Sequence, residues 1–136
     1  MKKTAVLLLA FAMLFSLAAC GASKLSDEYV EADVIARAEA LVGVINTKDY
    51  PAVVAELRDD LEASITAEQL ESAWGAALDK AGAFVSFSKE AAAGQKSESS
   101  GENYAVVVLV CKYENSTLTY TVSMDRDLEI VGMYMK

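Results

Sequence analysis

The hydrophobic pattern of this chain changes its period once, close to Gly82. Between residue 26 and that glycine, apolar residues recur every three or four positions, which is the spacing of one face of an α-helix. After the glycine, short segments alternate apolar and polar residues, as half-buried β-strands do. Helices followed by consecutive strands predict an α+β domain, with the helices packed on one face of an antiparallel sheet. The length of 136 residues leaves room for one such domain.

Capping residues place the starts of three helices. Ser26 is the predicted N-cap of the first helix, and Asp49 begins the second, with Pro51 in its first turn where a missing N–H costs nothing. Thr66 and Gln69 have the spacing of a capping box at the start of the third. The predicted helices run from Ser26 to Asn46, from Asp49 to Leu61 and from Thr66 to Gly82.

Four strands are predicted in the second half, joined as a meander. They are Ala83–Ala93, Tyr104–Glu114, Thr117–Met124 and Leu128–Met135, and the low-complexity stretch from Ala91 to Gly101 is a strand end and a loop. A two-residue turn at Asn115-Ser116 sets the register of the central hairpin. It pairs Tyr113 with Leu118, Cys111 with Tyr120, Leu109 with Val122 and Val107 with Met124, and these eight residues form the predicted core face.

The same register leaves Val106, Val108 and Val110 on the second face of the sheet. In the last strand, Leu128, Ile130 and Tyr134 share one face, and Val131, Met133 and Met135 share the other, so one of the two apolar sets joins the valines. Large open apolar patches are uncommon on soluble monomers. The face is therefore a candidate interface for a homodimer or another protein, or else it is partly wetted or covered by the chain's own N-terminal segment.

The N-terminus has the features of an export signal. Lys2 and Lys3 precede an eleven-residue apolar run over residues 5–15, too short to span a bilayer. The run ends in Leu17-Ala18-Ala19-Cys20, which resembles the lipobox of bacterial lipoproteins. The resemblance implies that Cys20 receives a diacylglycerol and becomes the first residue after cleavage. Two acyl chains give stable membrane anchoring.

This resemblance divides the chain into three parts. Residues 1–19 are a lipoprotein signal peptide, residues 20–25 are the lipidated Cys20 and a short tether, and residues 26–136 are a single α+β domain. The tether from Gly21 to Leu25 reaches at most about 17 Å, so the domain lies close to the membrane.

Charge and residue counts exclude several functions. The chain has 12 basic and 20 acidic residues and no histidine, and removing Lys2 and Lys3 takes the net charge from −8 to −10. An acidic surface disfavours nucleic acid, and the lack of imidazole excludes histidine-based catalysis and histidine metal sites. Cys111, in a run of apolar residues, is predicted to be a buried thiol. No metal or other cofactor is expected.

Three sequence elements resemble the bacterial family known as domain of unknown function 3887. These are Asn46-Thr47-Lys48-Asp49-Tyr50 at a helix start, Trp74 followed by Gly82-Ala83-Phe84, and a closing hairpin that contains Gly132. The resemblance covers about residues 30–135. It implies a nuclear transport factor 2-like or cystatin-like fold, in which a curved sheet wraps on helices, often in dimers. It also implies an extracytoplasmic lipoprotein, commonly of Gram-positive bacteria and held on the outer face of the cytoplasmic membrane.

Two kinds of function fit these observations. The first is a non-catalytic module that binds a ligand or a protein, and the second is a small isomerase or dehydratase with a tyrosine as proton donor. A pocket between helices and sheet would be lined by Trp74, Phe84, Phe87, Tyr113 and Tyr120, although aromatic residues in this pattern are more often plain core. Because the predicted core face carries no acidic residue, the sequence favours the binding module.

Overall fold

A computed structural model describes residues 23–136 of the chain as helices followed by one sheet. The helices are α1 (Glu31–Asn46), α2 (Tyr50–Ala55), α3 (Asp59–Glu62) and α4 (Ala67–Ala81). The strands are β1 (Phe84–Lys96), β2 (Asn103–Tyr113), β3 (Thr117–Met124) and β4 (Ile130–Met135), in the order β1-β2-β3-β4 with every pair antiparallel. The predicted α+β meander is confirmed. Cys20 and the signal peptide lie outside the described residues.

The first helix begins later than predicted. Ser26 is not its N-cap, because α1 starts at Glu31 after Val30. The carbonyl of Ser26 instead accepts from the backbone N–H of Tyr29 in a turn, and the buried Tyr29 donates its hydroxyl proton to the carbonyl of Asn103. This contact joins residues 74 positions apart, so local capping signals do not reveal it.

The prediction of the second helix is confirmed at the start of the helix and wrong at its end. The side chain of Asp49 accepts from the N–H of Ala52, as a cap should, but α2 stops at Ala55. Leu57 then forms a parallel bridge with Ile130, and the N–H of Arg58 donates to the Ile130 carbonyl. Pairing with β4 therefore divides the predicted helix, and its remainder is the one-turn α3.

The third predicted helix is α4, and its capping box is present. Thr66 accepts from the N–H of Gln69, and the Gln69 side chain accepts from the N–H of Thr66. Gly82 ends the helix with φ +82°, a value that favours glycine. None of the helices within residues 23–136 is long and apolar enough to span a bilayer.

The first strand continues through part of the predicted loop. Residues from Ala91 to Lys96 remain paired with β2, and the connection is 97–102, closed by a hydrogen bond from Ser97 N–H to the Glu102 carbonyl. Gly94 is held on both sides, by Ala105 of β2 and by Ser23 of the segment before α1. Pairing on both edges extends the strand through a stretch of weak strand formers.

The central hairpin has the predicted faces but not the predicted register. Cys111 pairs with Leu118 and Leu109 pairs with Tyr120, a shift of two residues. The turn is Glu114-Asn115, because Tyr113 N–H donates to the Ser116 carbonyl. The backbone N–H groups of the two turn residues donate to the carbonyls of Ala83 and Ala81, so the end of α4 selects this register.

The last strand departs from the predicted alternation at its start. A pairing irregularity between Ser123 and Met124 brings Ile130, Met133 and Met135 to the same side of the sheet. Tyr134 lies on the other side, so the prediction that Ile130 and Tyr134 share a face was wrong. A bulge of this kind adds one residue to the alternation, which changes the face of every residue after it.

The core lies between the helices and one face of the sheet. Fully buried residues of α1 pack with the predicted core-face residues of β2 and β3. Tyr50, at the start of α2, is also buried, and its hydroxyl lies 3.6 Å from the position that a Cβ on Gly75 of α4 would occupy.

Candidate functional site

The aromatic residues predicted to line a pocket divide between two places. The rings of Phe84 and Phe87 are 4.9 Å apart, and Phe84 meets Tyr113 edge-on at 5.6 Å. Tyr113 in turn contacts Tyr120, since their hydroxyl oxygens are 2.8 Å apart. Trp74 belongs instead to the wall of a separate groove that contains none of the other four.

The two tyrosine hydroxyls are committed to a buried chain of hydrogen bonds. Tyr113 donates to the side-chain oxygen of Asn46 at the end of α1, and therefore Tyr120 donates to Tyr113. Burial raises the pKa of both phenols, and for Tyr120 the contact with Tyr113 adds to the rise. Within residues 23–136 no carboxylate bonds to either hydroxyl, so the network joins α1 to the sheet with no acid or base beside it.

Cys111 is fully buried, as predicted. Burial, with a smaller effect of Glu39 and Glu90, raises the pKa of its thiol to about 12. A thiol that stays protonated at neutral pH is a poor nucleophile. Burial and the neighbouring Glu90 also raise the pKa of Glu39. No cluster of three or more possible metal ligands occurs in the part of the chain that the structure describes.

A groove of about 490 Å³ lies between α4 and the β3–β4 side of the sheet. Its size falls within the range of about 300–1,000 Å³ that is usual for ligand sites. Helix α4 supplies one wall because Ala73, Trp74 and Ala77 are spaced along one face. The full lining is Ala73, Trp74, Ala77, Leu118, Met133, Tyr134, Met135 and Lys136.

The outer rim of the groove is an edge strand. In the described residues, β4 pairs with β3 on one side, and on its other side only the first residue, Ile130, is bridged, by Leu57. Thr119 and Lys136 exchange both backbone hydrogen bonds at 2.9 Å, which makes them a hydrogen-bonded pair. In an antiparallel ladder the pair types alternate, so the N–H and C=O groups of Met135 and Met133 point away from β3. The groove thus has an apolar floor and a row of outward backbone donors and acceptors.

The second face of the sheet carries the predicted valines, but the apolar area is narrower than expected. Val106, Val108 and Val110 form a half-buried row one strand wide. On one side lie Ser123, Thr121 and Thr119, and on the other lie Ala93, Ala91 and Lys89. The methionines of β4 face the helices instead of joining the valines, because of the bulge before Ile130.

Comparison with known proteins places the chain in a family. The family described as Protein of unknown function (DUF3887) matches residues 38–133. The chain belongs to the DUF3887 family. The NMR structure of a protein from Ruminococcus gnavus ATCC 29149 is similar, with a TM-score of 0.75 and 26% identity over 84% of this chain and 97% of that one. No curated protein matches the chain.

The DUF3887 match contains most of the groove. Trp74 was found from the sequence, whereas Ala73, Ala77, Met133 and Met135 were not. The edge position of β4 could have been predicted from the sequence, since the last strand of a four-stranded meander lies at an edge of the sheet. The Ruminococcus chain is covered almost completely, so the described fold corresponds to nearly the whole of that solved structure.

Proposed function

We propose that this chain is an exported lipoprotein of the DUF3887 family, held on the outer face of the cytoplasmic membrane by Cys20, whose domain binds a partner without catalysis. The observation that carries the binding function is the apolar groove beside β4, the edge strand of the sheet within residues 23–136. We also infer that the domain is related to the nuclear transport factor 2-like and cystatin-like folds, since its four-stranded meander carries its helices on one face.

The segment next to the lipobox supports a close attachment to the membrane. Ser23 and Gly94 exchange two backbone hydrogen bonds, of 2.9 and 2.8 Å, at the edge of β1. Only residues 21 and 22 then lie between a lipidated Cys20 and Ser23 at the sheet edge, a reach of about 10 Å. The tether is therefore shorter than the five residues inferred from the sequence.

Replacing Cys20 tests the anchor. Cys20→Ser removes the sulfur that accepts the lipid, so we expect loss of fatty-acid label and release of the protein from the membrane fraction. Cys111→Ala is the matched control, because it removes the other, fully buried thiol. Labelling with a radioactive fatty acid, followed by cell fractionation, measures both. Fatty-acid label on Cys20→Ser equal to that on the wild type would rule out the proposed anchor.

The hydrogen bonds of the tyrosines support a binding role over the alternative of an isomerase or dehydratase. A tyrosine that donates a proton to substrate needs a hydroxyl that faces the substrate. Tyr113 directs its hydroxyl to Asn46 and Tyr120 directs its hydroxyl to Tyr113, and the described lining of the groove contains no carboxylate side chain.

The valine face is a second candidate contact surface for a homodimer or another protein, because the helices within residues 23–136 pack on the other side. If the chain forms a homodimer through this face, residues 21–136 should have twice the monomer mass in solution. The Val108→Lys variant should have the monomer mass. Val30→Lys is the control, since Val30 is 61% exposed at the start of α1, on the helix side of the sheet. Mass is measured by light scattering. A monomeric wild type whose stability is unchanged by Val108→Lys would remove self-association through this face.

A further inference from the structure

We infer that the groove and the free edge of β4 together bind an extended segment of another polypeptide, which adds to the sheet as a fifth strand. The inference rests on the proposed binding function and names its site and the class of its partner. It combines two independent features: a row of outward backbone groups and an apolar cavity directly beside that row.

The outward backbone groups of β4 determine the conformation of the partner, which must be extended. The N–H and C=O groups of Met133 and Met135 point to the open side of β4 and repeat every two residues. An extended chain presents donors and acceptors with the same repeat, whereas a small ligand or a helix does not. Main-chain hydrogen bonds of this type give affinity that is largely independent of sequence.

The cavity determines which side chains the partner segment needs. In an added strand, every second side chain points to the helix side, where the walls are Trp74, Ala73 and Ala77 of α4. Met133 and Met135 form the floor, and methionine adapts its shape to different apolar partners. The expected segment therefore has apolar residues at alternate positions.

The start of β4 limits the length of the segment. Leu57 already bridges Ile130, and Arg58 N–H bonds to the Ile130 carbonyl, so the outer edge is occupied at that residue. From Val131 to Met135 no strand among residues 23–136 covers this edge, a length that accommodates about five residues over about 17 Å.

Charge and space favour a separate segment over a second copy of this chain. The net charge of −10 that remains without Lys2 and Lys3 repels another copy and favours a neutral or basic segment. A second copy joined at β4 would also bring its own α4 to the same side of the sheet. Neighbouring helices need about 8–10 Å between their axes, whereas adjacent strands are about 4.8 Å apart.

The groove lies far from the proposed anchor. Gly94, Ala105, Met124 and Ile130 are aligned across the sheet, so the Ser23 bridge and the start of β4 lie at one level on opposite edges. Four strand spacings and five residues along β4 separate Ser23 from Met135 by about 25 Å. A chain anchored through Cys20 thus presents the groove away from the bilayer.

The test selects random twelve-residue peptides on phage against immobilised residues 21–136, which contain the whole described domain. Selected peptides are then measured against Ala73→Arg, which fills the groove, and Ala76→Arg, which makes the same change on an exposed part of α4 outside it. We expect Ala73→Arg to weaken binding at least tenfold and Ala76→Arg to leave it within about twofold.

A backbone readout separates strand addition from simple apolar contact. Bound peptide should slow amide hydrogen exchange of Met133 and Met135 at least tenfold. Only every second N–H group of an added strand faces β4. Methylation of the odd-numbered or of the even-numbered peptide nitrogens should therefore abolish binding in one of these two sets and not in the other. Failure to select peptides, or equal binding to Ala73→Arg, overturns the inference. Protection of these amides in the protein alone, together with a dimeric mass, overturns it in favour of a second copy. The Cys20→Ser result is independent of all these outcomes.

Discussion

Replacing Asp125 with alanine is expected to lower the free energy of unfolding by about 3 kcal/mol and the melting temperature by about 10 °C. Asp125 is only 8% exposed and lies at the turn between β3 and β4. One carboxylate oxygen accepts from the N–H groups of Asp127 and Glu129, each at 3.0 Å. The other accepts from Nη1 of Arg58 at 3.2 Å. Alanine leaves these three donors without their acceptor.

Asparagine at the same position separates the two functions of the carboxylate. Asp125→Asn keeps an oxygen for the two backbone N–H groups and presents an amide to Arg58, so we expect a smaller loss, about half that of alanine. Asp127→Ala is the control, because Asp127 is exposed in the same turn. Thermal and urea unfolding measure all three. Equal stability of Asp125→Ala and Asp127→Ala would contradict this account of the turn.

The helix starts show which parts of the fold could be predicted. The caps at Asp49 and Thr66 were predicted because each satisfies N–H groups three residues away. Ser26 resembles such a cap equally well, yet Tyr29 binds the carbonyl of Asn103 and holds the segment outside the helix. A sequence window does not contain that partner.

Strand faces were predictable and strand register was not, for one reason. Alternation has a period of two, so a shift by two residues leaves every side chain on its face. The choice between the two registers depends on Glu114 and Asn115, whose N–H groups bond to the end of α4. The bulge before Ile130 is a second non-local feature, and it decided where the methionines of β4 lie.

In the candidate site, too, local features could be predicted from the sequence and features that depend on distant residues could not. Trp74 was predicted as a pocket residue because a large aromatic residue on a helix face is recognisable by itself. Met133 and Met135 gain their importance from being at an edge, beside α4, and after a bulge. Those three conditions arise from the assembled sheet, and only the first can be inferred from the meander order.

Replacing Gly94 with alanine is expected to release the segment that precedes α1 and to cost about 2 kcal/mol of stability. A Cβ at this position would lie 2.5 Å from the backbone oxygen of Lys24 and 3.3 Å from Cα of Leu25. The contact is with backbone, so no side-chain rotation relieves it. The two hydrogen bonds between Ser23 and Gly94 would then break.

Gly43→Ala is the matched control, with the opposite sign expected. Gly43 lies within α1 and a Cβ there meets nothing within 4 Å, so alanine should stabilise the helix by about 0.5–1 kcal/mol. Amide exchange should become faster at Ser23 in Gly94→Ala and remain unchanged there in Gly43→Ala. With the segment released, the next fixed point is Tyr29, and the reach from Cys20 grows from about 10 Å to about 30 Å. Unchanged exchange at Ser23 in Gly94→Ala would show that this bridge does not hold the domain against its proposed anchor.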